Sequence, residues 1–415
     1  MSCPGSSSSP KNNPASLEKE PLYYQVLNET LEEAEWVGYQ GYSKFDGLLS
    51  PITQALSFGW WPLRLFWSQF VTRFPFNLRP LLGIKKGINP EALALFAHAN
   101  LDCAALGVPG HYSFRAETCL EWSLAHKVSA NHGYHGKCWG YNHPWQSRGF
   151  YQPANSPNCY LTVIVASAFV HGYQVIGKEQ YLEVARSAVD FLMNDLPVFF
   201  EDNQQKSIGY IPNLGPQMQV ININALAGAL IAQVGVTTGE GPLVEQARRL
   251  MNFVARQQTP YGGWFYTTNP QKDLLTHDNY HTGMILDALW TYAQTSGDTS
   301  FETHRRHGLE YYRQHLFTPY GAPKWSNQHT WPHDIHGSGQ GILTFALTGD
   351  LDTARQIASW AIDHFYKGAG DFAYQQGRFL RKPFTLLHWG NGWMARGLAA
   401  LLLAQQKSYP PTPGS

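Results

Sequence analysis

Three short runs of this 415-residue chain hold side chains that move protons. Residues 277–281 read His-Asp-Asn-Tyr-His, residues 333–336 read His-Asp-Ile-His, and residues 388–391 read His-Trp-Gly-Asn. Asp278 and Asp334 stand at matching offsets before two apolar segments. Hydrolysis of a glycosidic bond needs two carboxyl groups across that bond. One protonates the leaving oxygen, and the other acts as base or nucleophile. Asp278 and Asp334 are the best such pair, with Asp273 in reserve. A second chemistry takes a proton from a carbon beside a carbonyl or carboxyl, as uronate lyases and epimerases do. It needs a base, plus cations or amides where negative charge develops. Tyr280, His281, His336, Arg148 and Asn142 supply that set. The sequence leaves both chemistries open.

The stretches around these runs are rich in aromatic and amide side chains. Residues 131–158 contribute Trp139, Tyr141, Asn142, Gln146 and Arg148. Asn213 and Asn222 follow, then Trp264, then Lys324, Trp325 and Gln340, and finally His388, Trp389 and Asn391. A pyranose has apolar C–H faces and a polar hydroxyl rim, so it calls for aromatic rings and fixed hydrogen-bonding groups together. Each residue alone has a simpler reading, since Asn or Asp ahead of a helix caps it. Together, in five loops, they predict a cleft that binds or transforms a sugar.

The elements that would position these loops follow from a repeat. Gly177, Gly239, Gly297 and Gly349 each end an apolar segment and precede an amphipathic one, at spacings of 62, 58 and 52 residues. Phe191, Phe253 and Tyr311 lie fourteen residues after the first three, and Phe365 sixteen after the fourth. Glycine takes the left-handed turn that ends a helix at little cost. Each unit therefore reads as helix, tight turn, helix. Apolar segments start near 91, 160, 222, 281, 336 and 391, and amphipathic ones near 115, 179, 241, 300 and 351. Helices apolar all round belong inside, and amphipathic ones outside. The missing sixth outer helix is supplied by residues near 16–34. The expected architecture is all-α, an (α/α)6 toroid. All inner helices then run the same way, and the aromatic loops share the end at their N-termini.

The organisation reads as a disordered tail over 1–14, a ring-closing helix and aromatic, basic connector over 15–90, the toroid over 91–408, and a disordered tail over 409–415. Lys+Arg and Asp+Glu are 30 each, which leaves no basic footprint for nucleic acid. Five cysteines, at 3, 103, 119, 138 and 159, form no CxxC pair and fit free thiols in a reducing, cytoplasmic setting. The start of the chain has no basic region followed by an apolar run, so it is not read as a signal peptide. Residues 52–86 mix aromatics with Arg64, Arg73, Arg79, Lys85 and Lys86. They read first as a segment packed across the main domain. The alternative is a peripheral seat on a bilayer.

Competing motifs are weaker. His329, His333 and His336, or His277 and His281, have spacings that zinc accepts, but Pro332 interrupts the first set and HExxH is absent. No metal and no cofactor is expected. Gln258, Gly262 and Trp264 form a Q-x3-G-x-W signature like that of isoprenoid cyclases, which are also α-toroids. The acidic motifs of those enzymes are missing. The runs "CWGYNHPWQSRGFYQPANSPN", "DNYHTGMILDAL" and "PHDIHGSGQ" resemble a family of uncharacterised bacterial proteins from polysaccharide-biosynthesis clusters, over roughly 36–405. Members are sometimes labelled delta-aminolevulinic acid dehydratase. That enzyme is a TIM barrel with paired lysines, and this chain has neither the strand–helix alternation nor the lysines. At the fold level the chain is similar to the six-hairpin glycosidase superfamily. The resemblance implies surface-glycan metabolism and a sugar-containing substrate, with no catalytic residue to carry over. A non-catalytic glycan-binding or assembly protein on the same scaffold and an isoprenoid cyclase-like enzyme are the remaining alternatives.

Overall fold

In a computed structural model, residues 20–128, 133–213, 215, 219–269 and 277–408 are described. The two expected disordered tails and Asp273 lie outside them. Among the described residues there are fourteen α-helices and only short strands. The first helix, α1 (Glu20–Trp36), precedes two short helices, α2 (Pro51–Leu56) and α3 (Trp61–Arg73). Then come five hairpins. They are α4 (Pro90–Ala105) with α5 (Tyr112–Ala125), α6 (Cys159–Ile176) with α7 (Glu179–Asn194), α8 (Ile221–Thr238) with α9 (Gly241–Arg256), α10 (Asn279–Ser296) with α11 (Glu302–Leu316), and α12 (Ile335–Leu347) with α13 (Leu351–Phe365). The last helix is α14 (Trp393–Ser408).

Helices α4, α6, α8, α10, α12 and α14 each touch the next, and α14 returns to α4, so the inner ring closes. Helix α1 packs on α14 and serves as its outer partner. This is the (α/α)6 toroid that the repeat predicts. Gly177, Gly239, Gly297 and Gly349 all adopt positive φ, between 73° and 84°. A side chain in that conformation crowds its own backbone, which is why glycine recurs there. Helices α6 and α8 are long and apolar enough to cross a bilayer, but about 70% of each is buried inside the ring (67% and 72%). The four described cysteines, Cys103, Cys119, Cys138 and Cys159, are buried free thiols.

Inner helices are capped at the end where the long loops gather. Asn89, Asn158, Asp278 and Asp334 accept backbone N–H groups of α4, α6, α10 and α12. A six-residue π-turn, Leu387–Gly392, leads into α14 and sits against the start of α4. Residues 333–334 pair antiparallel with 375–376, which pair with 381–382, so Gln375 lies opposite Asp334.

Candidate functional site

The run 277–281 divides its labour. His277 is a pin, with Nδ1 2.7 Å from the Trp264 carbonyl and Nε2 2.8 Å from the Tyr261 hydroxyl. Asn279 is another. It donates to the Leu316 carbonyl and accepts from the Tyr312 hydroxyl. The other three form one cluster. Asp278 caps α10 through the His281 backbone N–H at 3.0 Å, and its second oxygen lies 2.7 Å from His281 Nδ1. A proton held on Nδ1 by a carboxylate leaves Nε2 of the neutral ring as a lone pair. The His281 side chain is 19% exposed, enough to meet a ligand.

Tyr280 is the hub. Its ring lies 4.4 Å from His281, 4.7 Å from His336 in a stacked pair, and 5.3 Å edge-on from Trp389. His336 is fully buried between Tyr280 and Trp393, and neither ring nitrogen has a hydrogen-bond partner among the described residues. Burial, reinforced by the positive charge of Lys44, drives its pKa well below the usual histidine value. It is therefore a neutral ring at physiological pH.

Asp334 is fully engaged. It caps α12 through His336 N–H, and the same oxygen accepts the Trp389 indole N–H at 2.8 Å. Its other oxygen accepts the Gln375 amide at 2.7 Å and stands 3.9 Å from the Lys44 ammonium. Lys44 is the residue the sequence did not reveal. It is 3% exposed, and its ammonium stands 3.6 Å over the Trp389 ring, 5.3 Å from Trp325 and 5.6 Å from Tyr280. Burial lowers its pKa to about 8, against the pull of Asp334. The connector between α1 and α4 thus places a cation inside the mouth of the ring.

Glu91 is the second missed group. Its place, two residues after Asn89 and just past Pro90, marks it as an ordinary first-turn acid of α4. In the fold it is 2% exposed, and one oxygen accepts from Tyr160 at 2.8 Å and Trp393 at 3.3 Å. The other oxygen has His388 Nε2 at 3.8 Å. Burial pushes the carboxyl up to about 7, and burial likewise holds His388 down to about 3. The pair therefore sets a carboxyl that resists ionisation beside a neutral imidazole. His143 joins the same layer, lowered by burial to about 4 and stacked on Tyr141.

Several residues expected to line the cleft do other work. Trp139 is fully buried, gives its indole N–H to the Ser123 carbonyl and packs on Phe169. Trp264 is 2% exposed, donates to the Val254 carbonyl and lies against Gly308, where a Cβ would approach its ring to 2.4 Å. Both are core rings behind the helices, so neither walls the mouth. The Q-x3-G-x-W signature is a clasp, with the Gln258 amide joining the Gly262 and His304 carbonyls. Gln146 ties its own hairpin to the Ser147 and Phe150 carbonyls, and Asn391 fastens Phe372 and Gly370. Gln340 lies a turn deeper than expected, donating to Asp287 at 2.6 Å. Asn222 is buried against Met284, while Arg148 and Asn213 are exposed, Asn213 at a positive-φ turn. Lys324, Trp325, Tyr141 and Asn142 are half-buried, and Trp325 alone of these four touches the Lys44 ammonium.

A cavity of about 430 Å³ occupies the ring axis, and it opens at the opposite end, beside the inner-helix C-termini. Trp393 closes it toward the Tyr280 cluster. Asp102 and Asp287 line it, each raised by burial to about 7, with Arg396 near both. The sequence assigned no function to that end. Among the described residues no group of three His, Cys, Asp or Glu stands close enough to hold a metal ion. His333, for one, is turned to the Pro323 carbonyl at 2.6 Å.

No protein-family profile matches the chain, and no curated protein matches it. Solved structures do. A cellobiose 2-epimerase from Bacillus thermoamylovorans superposes with a TM-score of 0.56 at 10% identity, covering 75% of this chain and 87% of the other. A family 88 glycosyl hydrolase from Bacteroides vulgatus gives 0.55 at 11%, covering 76% and 93%. A family 76 α-mannanase from Bacteroides thetaiotaomicron gives 0.53 at 11%, covering 77% and 86%. At such identities the likeness establishes the six-hairpin toroid, shared by proteins with different chemistries.

Proposed function

We propose that this chain is a carbohydrate-active enzyme that moves a proton at a sugar carbon, as an epimerase or isomerase does. The observation that carries this reading is the 2.7 Å contact between Asp278 and His281 Nδ1. The carboxylate orients the imidazole so that Nε2 serves as base. In the proposed step Nε2 takes the proton from the carbon beside the carbonyl of an open-chain sugar. The C–H electron pair moves to form an enediolate, with negative charge on the carbonyl oxygen. Lys44 offers a buried cation for that charge. Return of a proton to the opposite face gives the epimer; return to the neighbouring carbon, with the hydroxyl proton passing to the former carbonyl oxygen, gives the isomer. Tyr280 and Trp389 provide rings for the apolar face of the sugar.

A second reading, glycoside hydrolysis, has one observation of its own. Glu91, pushed up to about 7, keeps a proton to donate at neutral pH. The pair Asp278 and Asp334 supports it less, because every carboxylate oxygen of the two is already engaged. A role in bacterial surface-polysaccharide metabolism belongs to the same proposal and rests on the sequence resemblance alone, and a cytoplasmic setting rests on the free cysteines.

Incubation with reducing mono- and disaccharides in D2O, followed by proton NMR, separates the readings. Loss of the signal at the carbon beside the carbonyl, with a new epimer or isomer, supports proton transfer. Release of new reducing ends without deuterium on that carbon supports hydrolysis. Neither change across the panel sinks the enzyme reading for those sugars.

A further inference from the structure

We infer that the α2–α3 segment is a docking face for an anionic lipid bilayer. Helix α3 is amphipathic in reverse. Its buried residues are Ser68, Val71 and Thr72, while Trp61, Phe66 and Phe70 are exposed. A helix built to pack on the toroid alone would turn its rings inward. Here the rings of Phe66, Phe70, Phe74 and Phe76 run as a ladder along the outside, with centroids 5.7, 5.3 and 6.2 Å apart. Phe58, Trp60 and Leu81 extend the patch at 82%, 59% and 79% exposure. Clustered exposure on this scale marks an interaction surface.

Charge selects the occupant. From residue 47 to residue 90 the chain has no acidic side chain, and it has five basic ones. Arg79 is spent internally on Asp46 at 2.7 Å. Arg73, Lys85 and Lys86 are exposed, and Arg64 lies over the Tyr151 ring at the edge of the patch. Rings that enter the headgroup layer, flanked by cations with no ion pair among the described residues, are the chemistry of an interfacial helix on anionic lipid. A protein partner would need an apolar groove rimmed with acid. A second copy of this chain would bring like charge against like.

The face is also tied to the mouth. The Thr72 hydroxyl donates to the Lys44 carbonyl at 2.6 Å, and the Lys44 ammonium is the cation over Trp389. Docking therefore holds the mouth of the ring beside the lipid surface. The inference goes beyond the sugar-enzyme reading and does not depend on it.

The test is co-sedimentation of the full chain with sucrose-loaded vesicles of phosphatidylglycerol or of phosphatidylcholine. Binding to the first and little to the second is expected, weakening as salt screens the charges. Two variants, each checked for folding by circular dichroism, divide the contributions. Phe58→Ser with Trp60→Ser and Phe76→Ser removes three of the exposed rings and should weaken binding. Arg73→Glu with Lys85→Glu and Lys86→Glu reverses three charges and weakens binding on the order of 100-fold or more. No binding to phosphatidylglycerol, or unchanged binding by both variants, overturns the inference. A concentration-dependent dimer, lost in the serine variant, overturns it too and makes the face an interface between copies. Sugar turnover, measured without vesicles, reports on the other proposal alone.

Discussion

The Asp278 carboxylate grips His281 twice, at the backbone N–H and at Nδ1, so one side chain both caps α10 and orients the imidazole. The two duties separate by mutation. Asparagine caps a helix about as well as aspartate, but it brings no charge to stabilise the imidazolium formed during proton transfer. Asp278→Asn should therefore melt within a few degrees of the native protein. Its deuterium exchange should fall on the order of 100- to 10,000-fold. His281→Ala should lose exchange to the same degree. An Asp278→Asn protein that melts early yet exchanges normally would reduce Asp278 to a cap.

Lys44 predicts an alkaline limit. Burial lowers its pKa to about 8, so its charge disappears as pH rises through that value. If that cation stabilises the enediolate, kcat/KM should decline above about pH 8. Lys44→Arg stays charged throughout and should remove that limb, while Lys44→Met should be slow at every pH. Lys382 is the control. Burial lowers it also to about 8, but its ammonium is bonded to the Thr72 carbonyl at 3.0 Å. Lys382→Gln should keep the limb but move it to higher pH, because the Lys382 charge is one of those that lower Lys44. A limb that vanishes in Lys382→Gln and persists in Lys44→Arg would exchange their roles.

Glu91 predicts a pH-dependent stability with a definite sign. Its folded pKa of about 7 lies above the ordinary 4.5, so the fold holds the proton more tightly than the unfolded chain does. The penalty is absent below 4.5, grows as pH rises through the interval and is complete above about 7. Glu91→Gln keeps an oxygen for Tyr160 and Trp393 and cannot ionise. Its urea midpoint should gain on that of the native protein between about pH 5 and about pH 7.5, by up to about 3 kcal/mol in stability. Parallel curves for the two proteins would mean that Glu91 is not held protonated.

The toroid was readable because its signal is local and repeated. Gly177, Gly239, Gly297 and Gly349 punctuate helices whose apolar or amphipathic character tells inside from outside, and the observed boundaries fall within about three residues of that pattern. The site was readable only in part. Asp278, Tyr280, His281, Asp334, His336 and Trp389 lie near one another in sequence or on successive inner helices, so the toroid itself gathers them. Lys44 arrives from a connector some 290 residues before Asp334, its ion-pair partner. Nothing local to "GYSKFDG" announces burial. Glu91 has the sequence signature of a surface cap, and only the ring closing over it desolvates it. The mistake over Trp139 and Trp264 is of the same kind. A tryptophan in a loop has one composition whether it turns toward the axis or back beneath an outer helix.

Those two kinds of tryptophan give the last prediction. Trp264 and Trp389 are both nearly buried, and each donates its indole N–H, one to the Val254 carbonyl at 2.9 Å and the other to Asp334 at 2.8 Å. Phenylalanine at either position keeps a ring and removes the donor. Each change should cost about 1–3 kcal/mol, the worth of one buried hydrogen bond, although the Val254 carbonyl still accepts the Gln257 N–H and the Asp334 oxygen still accepts the His336 N–H. The catalytic consequences should differ. Trp264→Phe disturbs packing against Gly308, behind the helices, and the folded fraction should keep its kcat/KM. Trp389→Phe removes one of the two donors on an oxygen of the carboxylate that faces Lys44, and it alters the ring on which that ammonium rests. Its kcat/KM should fall at least about tenfold, since a cation meant for developing charge loses its fixed position. Denaturant melts and initial rates on the two proteins decide the matter. Equal stability loss with unequal rates places function at Trp389, whereas equal rates would return both rings to the core.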